Sequence, residues 1–110
     1  IPDLKPDIFV LTCVTGGFFM LFVIIAKDHA DSTELRANTR RNHLEYLSSH
    51  AVHYAGPMLS DDQEQPIGSI VVIDAADLTA ARDFAANDPY TVAGLFAEVS
   101  VHPFKQVIPG

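Results

Sequence analysis

The chain has 110 residues and a mass of 12.0 kDa, with 48% apolar and 19% charged residues, the composition of one folded domain and not of a disordered tail. Fourteen acidic residues against seven basic ones give a formal net charge of -7, which lacks the basic footprint that phosphate backbones require and excludes nucleic acid as the expected partner. A single cysteine, Cys13, excludes an internal disulfide framework and fits a reducing, cytoplasmic setting.

Residues 8–26, "IFVLTCVTGGFFMLFVIIA", carry no charge over nineteen positions, close to the length of a membrane-spanning helix. Gly16 and Gly17 interrupt the run, and its β-branched residues favour strands. It is therefore read as two strand-like pieces, about 8–14 and 20–26, and not as a membrane segment. One basic residue, Lys5, precedes the run and no small-residue cleavage motif follows, which counts against a signal peptide. The chain starts at Ile1, and Met20 stands just before a strong strand. Residues 1–19 are accordingly read as an extension, in part artificial, and residues 20–110 as the domain. Cys13 is expected to be a small apolar packing residue, with no base near it in sequence.

From Met20 the pattern is regular. "MLFVIIAKD" (20–28) is a continuous apolar run, as in a strand covered on both faces. "DSTEL" signals a helix start, with Ser32 or Thr33 as cap and Glu34 in the first turn. This helix is predicted to reach Ser49, with Arg40, Leu44 and Leu47 on the buried stripe and Ala37 and His43 at its borders. "VHYAGP" (52–57) reads as a strand ended by Gly56 and Pro57, and 59–66 as an acidic loop. "GSIVVID" (68–74) is a further strand. A second helix follows over 74–88, capped by Asp74 or Asp77, with Leu78, Ala81, Phe84 and Ala85 facing inward. Pro89 ends it, and 95–104 alternates as a final strand.

The order β-α-β-β-α-β predicts an α+β, ferredoxin-like fold. Four antiparallel strands with both helices on one face leave the other face bare. Strands this apolar need a second cover, and another copy of the chain packed sheet on sheet supplies it. A homodimer or a higher homo-oligomer is therefore expected.

Three of the five histidines, His43, His50 and His53, fall within eleven positions. A metal pair on a helix needs imidazoles three or four residues apart. His43 and His50 are seven apart, about 10 Å of rise, and His53 lies past the helix end, so no metal site is expected. His29, His50, His53 and His102 read as surface or pocket-rim residues. Asp88 is different, because a carboxylate at a helix C-terminus faces the negative end of the dipole. If the two helices lie side by side, the middle of the first approaches the end of the second. His43 and Asp88 then either form a carboxylate–imidazole pair, or His43 is an ordinary half-buried, hydrogen-bonded histidine. Ser69, just after Gly68, either offers a hydroxyl and an amide to a ligand or marks a plain loop-to-strand junction. No nucleophile elbow, phosphate-binding loop, dinucleotide fingerprint or Cys-x-x-Cys motif is present.

Several stretches, in this order and spacing, resemble the YciI-related (YCII-domain) family over residues 20–107: "MLFVIIAKD", "RRNHLEYL", "AGP", "GSIVVID", "ARDFAANDPYTVAGLF" and "VHPFKQV". The resemblance implies a ferredoxin-like domain assembled as a dimeric α/β barrel. It also implies an active site on a His–Asp pair, which maps onto His43 and Asp88, with Arg40, Gly56, Pro57, Ser69, Pro89 and Tyr90 at the surrounding motif positions. A characterised relative is a dehydrochlorinase of a chlorinated hydroxyhydroquinone, and muconolactone isomerase shares the broader fold. The expected function is thus a cofactor-free enzyme eliminating or isomerising a small aromatic-derived or lactone-like substrate. Arg40, Gly56, Pro57, Ser69 and Tyr90 would hold that substrate. The alternative is a non-catalytic dimer that binds or senses a small molecule.

Overall fold

The structure is a computed structural model that describes residues 20–110. The strand expected at 8–14, Cys13 and the 1–19 extension lie outside the described residues. The elements in chain order are β1 Leu21–Asp28, α1 Thr33–Ser48, β2 Val52–Leu59, β3 Pro66–Asp74, α2 Leu78–Asn87, α3 Pro89–Val92 and β4 Phe96–Phe104. The four strands form one antiparallel sheet in the order β2-β3-β1-β4, the ferredoxin-like arrangement. Pro57 and Pro103 lie inside the edge strands β2 and β4, where a missing N–H is tolerated. Gly56 and Pro57 therefore do not end β2 as expected, and Pro66 is the first residue of β3.

Strand register explains the core. Phe22 lies opposite Ile73, and Ile24 opposite Val71, so all four share the face that meets the helices. They pack there with Leu47, Ala81, Phe84 and Ala85. The Tyr46 hydroxyl donates to the Phe84 carbonyl at 2.8 Å and ties α1 to α2. The alternate residues pair as Val23 with Val72 and Ile25 with Ile70 on the opposite face. No helix among the described residues covers that face, where Ile70 is 36% and Tyr54 54% exposed. No described helix is long and apolar enough to cross a membrane.

Three details depart from the expected pattern. First, α1 buries Arg36, His43 and Leu47, whereas Arg40, Ala37 and Leu44 are exposed. The helix is turned away from its most apolar stripe because the polar side chains Arg36 and His43 find carboxylate partners, described below. Ser32 occupies the N-cap position without capping; its hydroxyl donates to the Ala30 carbonyl at 3.3 Å. Second, α2 starts at Leu78, four residues later than expected, because its N-cap is Asp77 and not Asp74. Of the two candidate caps it is Asp77 that acts, accepting from the Ala80 N–H at 2.8 Å.

Third, the chain does not simply stop at Asp88-Pro89. The residue before a proline is driven to extended geometry, and Asp88 has φ -59° and ψ 131°. Pro89 then opens the four-residue helix α3, as its fixed φ allows at a first helical position. Gly94, at φ +82°, closes α3: its N–H reaches the Thr91 carbonyl at 3.0 Å, and the Leu95 N–H reaches Tyr90 at 3.0 Å. This clamp holds Tyr90 between two fixed ends. Gly68 serves the neighbouring strand, where a Cβ would overlap the Ala26 carbonyl oxygen and Met58 Cε. Its close approach to β1 sets Ser69 opposite Ala26 on the helix-facing side.

Candidate active site

His43 leaves the buried face of α1 and meets Asp88 at the α2–α3 junction. Its Nδ1 is 2.8 Å from Asp88 Oδ1 and 3.0 Å from Oδ2, and both residues are buried, at 6% and 4% exposure. Oδ1 also accepts the Tyr90 N–H at 2.9 Å. Asp88 is thus the N-cap of α3 as well as the C-cap of α2. Its charge is answered by an amide and an imidazole, and the dipole of α2 is not the deciding term. An ionised carboxylate only accepts hydrogen bonds, so Nδ1 carries the ring proton. In the neutral imidazole Nε2 is then a lone-pair acceptor, with no hydrogen bond to it among the described residues.

Around this pair lies a second, charged one. Arg36 Nε donates to Asp28 Oδ2 at 2.8 Å and its Nη2 to Oδ1 at 3.0 Å, a two-pronged contact buried on both sides. Nη2 also donates to Ser69 Oγ at 2.8 Å. Burial opposes the guanidinium charge, but the hydrogen bonds and charge of Asp28 outweigh it and hold Arg36 above its ordinary range. Tyr90 joins the two pairs. Its ring stacks on His43, with centroids 3.9 Å apart at 19°, and the Arg36 guanidinium carbon lies 4.7 Å from its centre. Burial raises the Tyr90 phenol above its ordinary value against the opposing charges of Arg36 and Arg40, so it stays protonated at neutral pH.

A cavity of about 330 Å³ opens beside this cluster, between α1 and the β2–β3 edge of the sheet. Arg36, Arg40, His43, Ser69 and Tyr90 line it with Gly56 and Pro57, while Leu44, Leu47 and Val71 give it an apolar wall. Each residue expected to hold a ligand therefore borders the same hollow. Asp88 stands behind His43 and does not line it. Pro57 sits opposite Ser69 across the β2–β3 pair, which explains how "AGP" and "GS" come together.

Arg36 and Asp28 were not expected. Arg36 lies seven residues before His43, two turns along the same helix face, and opposite charges flank the β1–α1 turn. That is the sequence signal for them, though it is a weak one.

The other histidines diverge from the site. The His50 Nδ1 lies 2.7 Å from the Tyr46 carbonyl, and its ring meets Phe84 edge-on at 5.0 Å. The sequence places no acid near His53, yet its Nε2 comes within 3.9 Å of Asp74 Oδ2. Burial holds the Asp74 carboxyl above its ordinary value, and His53 opposes that rise. His29 and His102 are exposed. Among the described residues, no group of three or more His, Cys, Asp or Glu is placed to hold a metal ion. A more open hollow of about 730 Å³ at the far end of the sheet is lined by His53 and Phe104.

The two roles of Asp88 separate by substitution. Asp88→Ala removes the α3 cap together with the imidazole partner and should cost about 1–3 kcal/mol in urea unfolding. Asp88→Asn keeps a carbonyl oxygen for the Tyr90 N–H and should cost distinctly less. Equal losses in the two variants would show that the cap contributes nothing.

Comparison with known proteins gives this site a context. The model of the YCII-related domain matches residues 20–105. Protein YciI of Escherichia coli is 41% identical over 97 residues, covering 80% of this chain and 99% of that protein. A Haemophilus influenzae protein is 39% identical over the same shares. Among solved structures, the 5-chloro-2-hydroxyhydroquinone dehydrochlorinase TftG of Burkholderia phenoliruptrix, in complex with 2,5-dihydroxybenzoquinone, superposes with a TM-score of 0.73 at 33% identity. That similarity covers 80% of this chain and 96% of that one. SnoaB, a cofactor-independent oxygenase from Streptomyces nogalater, shares the fold at 16% identity and a TM-score of 0.52, over 86% of this chain and all of that one. Matched over most of its length by the family model and by relatives at about 40% identity, the chain belongs to the YCII-related domain family.

Proposed function

We propose that this protein is a small-molecule enzyme whose own side chains supply acid–base chemistry without a cofactor. The observation that carries the reading is the buried His43–Asp88 contact, with Nε2 left as an acceptor on a residue that lines the cavity. His43 acts as general base through Nε2, and Asp88 fixes the tautomer and stabilises the imidazolium that forms. Arg40, Ser69 and Tyr90, with the Gly56-Pro57 edge, hold the substrate. The proton leaves a carbon of the bound molecule for Nε2. In an elimination, the electrons of that C–H bond form a double bond while a leaving group departs with its own bonding pair. In an isomerisation, imidazolium returns the proton to a different carbon. TftG, similar in sequence and fold, is a dehydrochlorinase, which supports the elimination and a small hydroxylated ring as substrate. The proposed setting is the cytoplasm.

Turnover of chlorinated hydroxyquinols and of small lactones should be screened against wild type and two variants. His43→Ala should lower kcat by about 10²–10⁴-fold, the usual contribution of a positioned base. Asp88→Asn should lower it by about 10–10²-fold, the worth of one charged hydrogen bond. Activity that survives His43→Ala intact contradicts the proposal. The apolar wall of the cavity also suits a second reading, a non-catalytic dimer that binds or senses a ligand. Saturable binding of these compounds with no turnover would favour it.

The assembly we propose is a homodimer that packs the sheet face away from the helices against a second copy, giving a dimeric α/β barrel. The apolar side chains Val23, Ile25 and Ile70 on that face support it. Sedimentation at micromolar concentration should give twice the mass of the chain, and a single-chain mass contradicts the pairing.

A further inference from the structure

We infer that the cavity beside His43 selects a small oxyanion, a carboxylate or enolate-type oxygen, with Arg40 reading its charge and the Ser69 hydroxyl donating to it. This deepens the proposed function, because the same anion would hold the substrate against Nε2, but its recognition does not require turnover.

The polarity of the lining carries the inference. The chain has a net charge of -7, yet the described residues that line the cavity include Arg36, Arg40 and His43 and no Asp or Glu. The two nearby carboxylates stand behind their partners, Asp28 on Arg36 and Asp88 on His43. Arg36 is thereby neutralised and fixed. Arg40 has no carboxylate within ion-pair distance among the described residues, so its charge is left for whatever enters. An unpaired guanidinium presents flat, paired donors that match a carboxylate or an adjacent pair of oxygens.

Ser69 adds direction. It is 4% exposed, and its Oγ accepts from Arg36 Nη2 at 2.8 Å. A hydroxyl that accepts from a guanidinium still has one proton to give. No acceptor takes that proton among the described residues. A buried donor left without an acceptor is costly, and an oxyanion in the cavity would relieve that cost. Tyr90 stays a neutral phenol in the same wall. The ligand that complements these groups is rich in acceptors, negatively charged and about one ring in size. An ammonium or a neutral amide meets the same donors less well.

The test compares two probes of the same shape, benzoate and benzamide, by calorimetric titration of the full chain. Wild type should bind benzoate about 10- to 100-fold more tightly, the range of one charged hydrogen bond. Arg40→Gln, at an exposed position that leaves the fold intact, should abolish that preference, and Arg40→Lys should keep part of it. Ser69→Ala should weaken benzoate a few-fold. His43→Ala should retain the preference while losing turnover. Equal binding of both probes by wild type overturns the inference, and so does failure of benzoate to bind at millimolar concentration. A preference unchanged in Arg40→Gln, or lost in His43→Ala, also overturns it. A preference that persists in a protein without turnover upholds it while removing the catalytic reading.

Discussion

Asp88 terminates α2, starts α3 and orients His43, and the geometry of the site follows from these three duties. Pro89 forces Asp88 into extended geometry, which turns its carboxylate back onto the Tyr90 N–H and across to the imidazole. The cap fixes α3, α3 fixes the Tyr90 ring, and that ring stacks on His43. A local backbone preference therefore reaches the imidazole by two routes, one through the carboxylate and one through the aromatic face. Both routes must hold for Nε2 to keep its aim.

The Arg36–Asp28 pair is a second, separate constraint. Two charges so deeply buried are not an economical source of stability, since an apolar pair of similar volume often serves as well. What the pair supplies is a guanidinium held by two carboxylate contacts, donating to Ser69 and lying against Tyr90. It also rotates α1 so that His43, and not Leu44, faces the interior. The cavity then opens where Arg40 and Leu44 look toward the edge strand β2. The polar contacts thus decide both the phase of the helix and the place of the hollow.

Much of this was legible in the residues. Period-two and continuous apolar runs marked the four strands of the domain, and the Asp-Pro step marked the end of α2. The His43–Asp88 convergence was legible only as one of two alternatives. Helices lying side by side on one sheet set the middle of the first near the end of the second, while spacing alone does not distinguish that pair from an ordinary half-buried histidine. Helix phase was not legible. Arg40, Leu44 and Leu47 form the more apolar stripe, and hydropathy says nothing of an arginine that carries its own buried partner. The helix α3 was also hidden, since four residues carry no periodicity; only Pro89 and Gly94 at its two ends betray it. His53 met Asp74 through contacts between distant segments that spacing along the chain does not reveal.

The claim on which the rest depends is that Asp88 holds His43 as the tautomer with its proton on Nδ1. Nitrogen-15 NMR of imidazole-labelled protein at neutral pH reads this directly, through the shifts of the two ring nitrogens and their couplings to the ring protons. The account predicts a protonated Nδ1 and a bare Nε2 for His43. A proton on Nε2 with Nδ1 bare would contradict it, for the cavity would then face a donor, and no base would stand there.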